Sequence, residues 1–498
     1  MTSRLLVISN PEAYRDPEGD VPAFYQAVAR SSRIQGLHLQ SQQLLQQPEA
    51  PLQVVPLPSS LDHSSFLALG QHQVQRLAPD QVDGVFCRTL KPFPPGHLQR
   101  LQTWERSWRF LNRPSSKVRQ MQARFLQEVA GPHLPPTLVS RDRGAIADFL
   151  AVHGTVVAKQ ANSTQARGVF RLQRQGDGWI LEHAHRPTRI ASALEPLLSD
   201  LEAESDEPLQ FMRFLPRTSQ GDKRIVVLAG HVLGAYVRRS ASGHWVNNVA
   251  CDGLCSLDQI TDAERAAIAA TWPSYQSLGL RILGYDFLQD DQGVWRISEI
   301  NVGNVGGFHR LQQLGGSPAM DQLLTWIDDY CQSRQELRIR QAEPRDDAAI
   351  AAIYQQAIDQ GGITMDDRDY GPAAVAAKRQ QLQERECLLV ATLRDEVVGW
   401  AELRRYSERA GYQVCAESSV YVHRSERGNG IGHQLQQHLM AEAKRYGYKH
   451  LVAKVLAANP DSIRFHQRYG YDIVGTQRRI GLLRGSWHDV TILQYLMA

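Results

Sequence analysis

Hydrophobic positions along the chain come in short blocks set between polar turns. Leu5-Leu6-Val7-Ile8 is a continuous apolar run of strand length, the pattern of a buried first strand. A second run lies at Val82 to Cys87, and the Gln-rich stretch between them, Gln40 to Gln53, reads as a loop. Together they predict an open α/β unit from Arg4 to about Leu111. Val118, Met121, Phe125 and Val129 then repeat at helical spacing between Asn112 and Pro136 and stop at Gly131-Pro132. Thr155-Val156-Val157-Ala158-Lys159 opens a new strand, so this punctuation marks a domain change.

Further on, Leu283 to Leu288 and Val294 to Asn301 read as two strands joined by the turn Asp290-Asp291-Gln292-Gly293. A second break falls at Cys331 to Glu336, after which Leu337 to Arg340 begins a strand and Asp346 to Ile358 a helix. Ser419 to Val422 reads as a strand, followed by Arg427-Gly428-Asn429-Gly430-Ile431-Gly432 and a helix carrying Leu435, Leu439 and Ala443 at i, i+4 and i+8. The expected division is 1–114, 115–334 and 335–498, with no internal repeat.

The chain has 498 residues, 42% of them hydrophobic and 21% charged, which is enough for two to four domains. Lys plus Arg total 55 and Asp plus Glu 52, a net charge of +3 with no long run of one sign, which argues against nucleic acid and anionic membrane as partners. No stretch reaches the roughly 18 apolar residues of a membrane span, and the first run is too short for a signal peptide. The cysteines (Cys87, Cys251, Cys255, Cys331, Cys387, Cys415) form no C-x-x-C pair, so a reducing cytoplasm is expected. Cys251 and Cys255 have no second pair or histidine at zinc-finger distance and read as ordinary thiols. His183, His185 and Arg186 beside Glu182 follow the turn Gly176 to Gly178 and read as a solvated hairpin.

Strand alternation places Ile297, Glu299 and Asn301 on one face, with Asp286 opposite on the neighbouring strand. Two carboxylates and an amide oxygen there suit Mg²⁺, and suit equally an ordinary cross-strand polar pair. Lys159, ending an apolar strand, is either a snorkelling surface residue or a cation aimed at phosphates.

Asp222-Lys223-Arg224, Gly284-Tyr285-Asp286 and Ser298-Glu299-Ile300-Asn301-Val302 occur in that order, alongside Asp83 to Arg88, Pro135 to Ser140 and Phe214-Leu215-Pro216. The stretch from about Asp83 to Leu314 resembles the bacterial glutathione synthetases, which are ATP-grasp ligases. The resemblance implies that Lys117 and Lys159 hold ATP phosphates, with Arg119 an alternative to Lys117. It also implies that Arg213, Phe214 and Leu215 form the adenine-facing hinge, that Asp222 holds the ribose, and that Asp286, Glu299 and Asn301 bind Mg²⁺. Arg224 and Arg238 are then catalytic cations, offsetting charge while a substrate carboxylate takes the γ-phosphoryl group and the acyl phosphate is attacked by an amine.

Three departures from that family argue against glutathione as product. The loop Ala161 to Gly168 has one glycine, so it is expected to cover ATP through Asn162, Ser163 or Thr164. Val246-Asn247-Asn248 and Asp252-Gly253-Leu254-Cys255 lack two expected arginines, and Val302 to Gly307 replaces a Thr-Ser-Pro.

A glycine loop that opens a helix presents free N–H groups and the positive dipole end to an anion, although a purely structural turn reads the same. The wider segment, Leu337 to Ala498, resembles GNAT acetyltransferases of the phosphinothricin type through Ala416 to Val422, Asn459 to Ile463, Gly485 to Val490 and the R-x-x-G-x-G run. The resemblance implies acetyl-CoA with its pyrophosphate on Arg427, Gly428, Gly430, Ile431 and Gly432, its pantetheine arm along Val420 and Val422, and Asn459 nearby. Glu417 and His466 become the catalytic bases for the amine. Read without the resemblance, they are a strand-end carboxylate and a helix histidine.

The expectation is therefore an α/β and α+β multidomain enzyme: a pre-ATP-grasp α/β domain, an ATP-grasp domain and a GNAT domain. Its substrates are expected to be small amino acids or amines, giving an N-acetylated dipeptide or amide. A ligase that modifies a protein, or a GNAT domain that only senses acetyl-CoA, are the other readings, and a homo-oligomer is left open.

Overall fold

The structure is a computed structural model that describes residues 2–46, 51–71, 74–78, 81–105, 108–161, 167–183, 186–205, 207–240, 245, 254–393 and 396–497, with the backbone alone at 334–336. It divides into two compact units, Met1–Cys331 and Gln332–Ala498. Asn162, Ser163, Thr164, His185, Val246, Asn247, Asn248, Cys251, Asp252 and Gly253 lie outside the described residues.

The first unit holds three sheets. Strands β1 (Ser3–Ser9), β2 (Ile34–Gln40), β3 (Leu52–Pro56), β4 (Gln75–Leu77) and β5 (Gly84–Cys87) form a sheet of order β4-β3-β2-β1-β5, with β2, β1 and β5 parallel. Leu5 to Ile8 are fully buried, as a central parallel strand requires. The Gln-rich segment is more ordered than a loop: Ser41–Gln46 is a 3₁₀ helix and Leu52 starts β3, because Leu44 and Leu52 anchor it in the core. The helical pattern between Asn112 and Pro136 is two helices, Pro114–Gln120 and Phe125–Ala130, the second turned so that Phe125 and Ala130 enter the core beneath the third sheet.

The second sheet is antiparallel, with β6 (Thr137–Ser140), β7 (Thr155–Lys159), β8 (Val169–Gln175), β9 (Gly178–His183), β10 (Arg189–Ala191) and β11 (Leu209–Arg213) in the order β10-β9-β8-β7-β11-β6. Its core is closed by helices Arg143–His153 and Glu195–Ala203. The β8–β9 hairpin is where the sequence places it, and the His183 ring meets the Arg167 carbonyl.

The third sheet is also antiparallel: β12 (Asp222–Leu228), β13 (His231–Arg239), β14 (Leu254–Asp258), β15 (Ile282–Gln289) and β16 (Trp295–Asn301), in the order β14-β13-β12-β15-β16. Val226, Leu228 and Tyr236 on one face share a core with Leu5, Val7 and Phe86 of the first sheet and with Leu323 and Ile327 of helix Ala319–Glu336. The other face packs on helix Asp262–Ser277. A bulge in β16 corrects one expectation. Asp286 pairs with Glu299 but Phe287 pairs with Ile297, so Ser298 is the extra residue and Ile297 crosses to the core face beside Phe287.

In the second unit, β17 (Leu337–Gln341), β18 (Cys387–Leu393), β19 (Glu396–Arg405), β20 (Cys415–Val422), β21 (His450–Leu456), β22 (Asp472–Leu483) and β23 (Ser486–Leu496) form one sheet of order β17-β18-β19-β20-β21-β23-β22. Only β20 and β21 are parallel neighbours. Helix Ile431–Arg445 covers one face, and helices Asp347–Gln360 and Pro372–Gln380 cover the other. Among the described residues no helix is long and apolar enough to cross a membrane.

A buried chain of hydrogen bonds in the first sheet makes stability pH-dependent. His38 Nδ1 meets the Tyr25 hydroxyl at 2.8 Å, which meets Ser9 at 2.8 Å. Burial pushes His38 down to about 4, only partly opposed by Gln40. An unfolded histidine titrates near 6.5, so as pH falls the unfolded chain takes up the proton first. The stabilisation is complete above pH 6.5 and is lost as pH falls toward 4, up to about 3 kcal/mol. The thermal midpoint of the first unit is therefore expected to drop across that window, and His38→Gln is expected to flatten the profile.

Candidate functional sites

The register of the third sheet assembles the first site. Asp222 pairs with Arg238, Arg224 with Asp286, Asp286 with Glu299, and Gly284 with Asn301. Alternation puts Asp222, Arg224, Arg238, Asp286, Glu299 and Asn301 on one face, while Ile225, Val227, Tyr285 and Phe287 fill the core behind.

Two arginines hold Asp286. Arg224 donates to both its oxygens, Nε at 2.5 Å and Nη2 at 2.9 Å, and Arg238 Nη2 donates to Oδ1 at 2.8 Å. The Asn301 amide donates to Oδ2 at 3.0 Å, so all four acceptor positions of this carboxylate are filled. Arg238 also grips Asp222 with bonds of 2.6 and 3.0 Å. Burial alone would raise Asp286, but Arg224 and Arg238 outweigh it and hold the group below the ordinary carboxylate range. Burial pushes Asp222 upward, against the pull of Arg238.

Lys159, at the end of β7, donates to the Ser298 carbonyl at 2.9 Å, which brings it to the β16 bulge. Burial lowers its pKa below that of an ordinary lysine, while Glu299 and Asp286 pull it back. Glu299 is exposed and accepts no hydrogen bond from the described residues. The open donors are therefore the Glu299 carboxylate and the Asn301 carbonyl oxygen, hard ligands that fit Mg²⁺, with Asp286 committed to the arginines. Among the described residues no group of three His, Cys, Asp or Glu side chains forms a metal site.

The hinge segment follows β11. Arg213 is ion-paired with Asp291, Phe214 N–H donates to the Thr155 carbonyl at 3.0 Å, and Leu215 is buried. Arg213 and Leu215 line an open pocket of about 650 Å³ with Pro135, Pro136 and the Asp290 to Gln292 turn, and the Asp286 cluster does not line it. Lys117 sits on helix Pro114–Gln120 against the Phe93 ring, 4.7 Å from its centroid, and beside Gly303.

The segment after Asn301, where the sequence departs from its relatives, is tied down on several sides. Arg224 Nη1 donates to the Gly306 carbonyl at 3.1 Å and Arg88 Nη1 to the Val305 carbonyl at 2.7 Å. Gly307 and His309 donate their backbone N–H groups to Asp20 at 2.6 and 2.8 Å, and Asn304 donates to Tyr14 at 2.8 Å. Tyr14 and Asp20 belong to no motif in the sequence, and Arg88 ends the run Asp83 to Arg88.

The second site lies where β20 and β21 part. They pair only through Cys415, Ala416 and Glu417, whereas β20 stays paired with β19 as far as Val422. The open edge of β20 from Ser418 onward, including Val420 and Val422, thus presents backbone groups that no strand uses. The Ser418 hydroxyl donates to the Val452 carbonyl at 3.3 Å and meets Tyr471 at 3.2 Å, which ties the fork. Beyond β20, Gly428 and Gly430 adopt φ of 77° and 80°, and Gly430 caps helix Ile431–Arg445. The first N–H groups of that helix, from Ile431 and Gly432, have no partner within it. Arg427 donates to Gln360 at 2.8 Å, and Asn459 caps helix Pro460–Gln467 by accepting from Ser462 N–H at 3.2 Å.

Glu417 and His466 do not meet. Glu417 is ion-paired with Lys454 at 2.6 Å on one face of β20. His466 packs beside Tyr471, which meets the next residue, Ser418, and so lies toward the opposite face. Its Nδ1 meets the Ser462 carbonyl at 2.8 Å, its Nε2 is buried with no hydrogen-bond partner, and burial holds it below the ordinary histidine range.

Residues 125–316 match the family model described as the ATP-grasp domain of prokaryotic glutathione synthetase, and residues 322–471 match the acetyltransferase (GNAT) family. A glutathione synthetase of Parasynechococcus marenigrum is 27% identical over 325 residues, 64% of this chain and 97% of that protein. A phosphinothricin N-acetyltransferase of Streptomyces viridochromogenes is 32% identical over 161 residues, 32% of this chain and 88% of that protein. The chain joins a glutathione synthetase-type ATP-grasp ligase to a GNAT acetyltransferase. An L-methionine sulfoximine/L-methionine sulfone acetyltransferase of Salmonella typhimurium is also similar to the GNAT part, 31% identical over 160 residues, 32% of this chain and 93% of that protein.

Both parts of this ligase–acetyltransferase belong to enzyme families. In the ATP-grasp part, Lys159 and the six polar residues of the third sheet converge, and Lys117 sits beside Gly303, two residues past Asn301. In the GNAT part, β20 leads from the fork to the glycine loop, and the two expected bases lie on separate sides of β20. Lys454 was missed from sequence. Its two-residue offset from Val452, which pairs with Glu417, becomes a signal only once the parallel register is known.

Proposed function

We propose that the protein is a bifunctional cytoplasmic enzyme: an ADP-forming ligase that joins a small carboxylic acid to an amine, and an acetyl-CoA-dependent N-acetyltransferase for an amino-acid-like amine. The observation that carries the ligase reading is the buried alternation of charge Asp222, Arg238, Asp286, Arg224 beside Lys159 and Glu299. In this reaction a carboxylate oxygen bonds to the γ-phosphorus as the bridging P–O bond breaks and ADP leaves. The amine nitrogen then bonds to the acyl carbon, the C–O bond to phosphate breaks, and a proton passes to water.

Arg224 and Arg238 supply positive charge where the phosphoryl group transfers. Paired bonds to Asp286 and Asp222 fix their planes in advance, so no reorganisation is needed during reaction. Lys159 serves the phosphates, Asp222 the ribose, and Arg213 to Leu215 the adenine. Mg²⁺, when bound, offsets phosphate charge, and Glu299 with the Asn301 carbonyl oxygen are the residues that would hold it.

In acetyl transfer the amine nitrogen bonds to the thioester carbonyl carbon and the C–S bond breaks, the sulfur leaving with the electron pair and taking up a proton. The free edge of β20 at Val420 and Val422 is suited to the pantetheine amides, and Arg427 with the Gly428 to Gly432 turn to the pyrophosphate. Glu417 accepts the amine proton, and His466, on the opposite face of β20, takes no part in that step. Both reactions on one metabolite give an N-acetylated dipeptide or amide.

The test follows ADP and free coenzyme A separately with pooled acids and amines. ADP formation that needs both an acid and an amine, with coenzyme A release that needs an amine, supports the reading. ADP formation indifferent to both contradicts it.

A further inference from the structure

The first sheet reverses its direction of growth at β1. The chain adds β2, β3 and β4 on one side of β1 and then β5 on the other, with β2, β1 and β5 parallel. The crevice beyond the carboxyl ends of β1 and β5 is the place where open parallel sheets bind ligands. Asn10, just past β1, and Leu90, just past β5, exchange hydrogen bonds of 2.8 and 3.4 Å across it.

Positive charge gathers at this crevice. Lys117 Nζ lies 4.7 Å and Lys91 Nζ 5.7 Å from the centroid of the same Phe93 ring, and His97 stacks on that ring at 5.2 Å. Arg88 is 2% exposed, its Nε is buried without a hydrogen-bond partner, and no carboxylate of the described residues lies within 4.0 Å of it. The nearby Asp20 is already occupied by the N–H groups of Gly307 and His309. Glu299 is the carboxylate whose charge reaches Lys91. Burial, and then Lys91 and Arg88, push Lys117 down to about 8, with Cys87 opposing. A buried guanidinium that feels Asp20 only from beyond ion-pair distance, and that lies near two ammonium groups, favours an anion at the crevice.

The crevice adjoins the chemistry. A Cβ on Gly303 would lie 3.2 Å from Lys117 Nζ, and Gly303 is two residues past Asn301. The Glu299 charge raises the pKa of both Lys91 and Lys159.

We propose that Lys117 and Lys91, backed by Arg88, bind a second anionic group of the acid substrate, so that the ligase takes a dicarboxylic acid or an acidic amino acid. This rests on the ligase reading above. One carboxylate then lies at Arg224 and Arg238 for phosphorylation, and the other is held at the β1–β5 crevice. Lys117 serves the acid and not the ATP phosphates.

Calorimetric titration of the full-length protein, without Mg²⁺ or nucleotide, tests this without turnover. The probes are succinate, glutarate and L-glutamate, compared with butyrate and L-glutamine. At least one dianionic probe is expected to bind about tenfold tighter than its singly charged counterpart. Lys117→Met is expected to abolish that preference while leaving affinity for a non-hydrolysable ATP analogue within about twofold. Lys91→Met is the second variant, and both must keep the wild-type unfolding temperature. Equal affinity for mono- and dianions, no binding by any probe, or loss of nucleotide affinity with the acid preference intact overturns the proposal. A protein that binds the dianion yet makes no ADP keeps the subsite and refutes the ligase reading instead.

Discussion

Glu299→Ala is expected to lower ADP formation about 10³-fold and to leave acetyl transfer unchanged. The carboxylate is exposed and accepts no hydrogen bond from the described residues, so its removal leaves no donor unpaired, although it takes a favourable charge away from Lys159 and Lys91. That makes it a cleaner probe than Asp286. Truncating Asp286 strips Arg224 and Arg238 of the group that accepts three of their N–H bonds, and breaking a buried pair costs about 3 to 5 kcal/mol. Coupled assays for ADP and for free coenzyme A on the same preparation check the result. Loss of both activities in parallel would contradict two independent sites.

Gly430→Asp is expected to do the reverse, weakening acetyl-CoA binding about 10²-fold or more while ligation continues. A Cβ at Gly430 meets nothing within 4 Å, so the free protein has room for the side chain. The φ of 80° costs a non-glycine residue about 1 kcal/mol, and a carboxylate at the start of helix Ile431–Arg445 recovers part of it from the helix dipole. The new charge faces the pyrophosphate position, where two like charges about 4 Å apart repel by roughly 4 kcal/mol near a protein surface. Gly430→Asn has the same shape without the charge, and its loss of affinity is expected to be at least tenfold smaller. Equal losses for the two variants would mean that backbone strain, not an anion, governs the loop.

The elements that sequence fixed well are those with local causes. Leu5 to Ile8 is apolar without interruption and is the buried β1. The hairpin around Asp290 to Gly293 follows from its turn residues, and the glycine loop with its following helix from φ-permissive residues set before an amphipathic repeat. What was hidden depends on distant partners. Ile297 changes face because Ser298 is a bulge, and one extra residue reverses every period-2 expectation before it. The helical stretch after Asn112 breaks in two because Phe125 must reach a core completed by Tyr275.

The same holds for the sites. Asp286, Glu299 and Asn301 were legible as one face, but the two arginines that fill the acceptor positions of Asp286 come from β12 and β13, brought there by register alone. Lys117 has a phosphate role only through the resemblance, and no pattern in one sequence shows that its helix sets it beside Lys91 and Phe93. Glu417 and His466 are named by resemblance, but no pattern in one sequence reveals that Lys454 pairs with one and Tyr471 packs on the other.

The most direct test of the account is mass spectrometry of a pooled acid and amine mixture incubated with the protein, Mg-ATP and isotope-labelled acetyl-CoA. The account predicts a product that carries both a new amide, formed only with ATP, and the labelled acetyl group. Label confined to free amino acids, with no ATP-dependent amide, would contradict it.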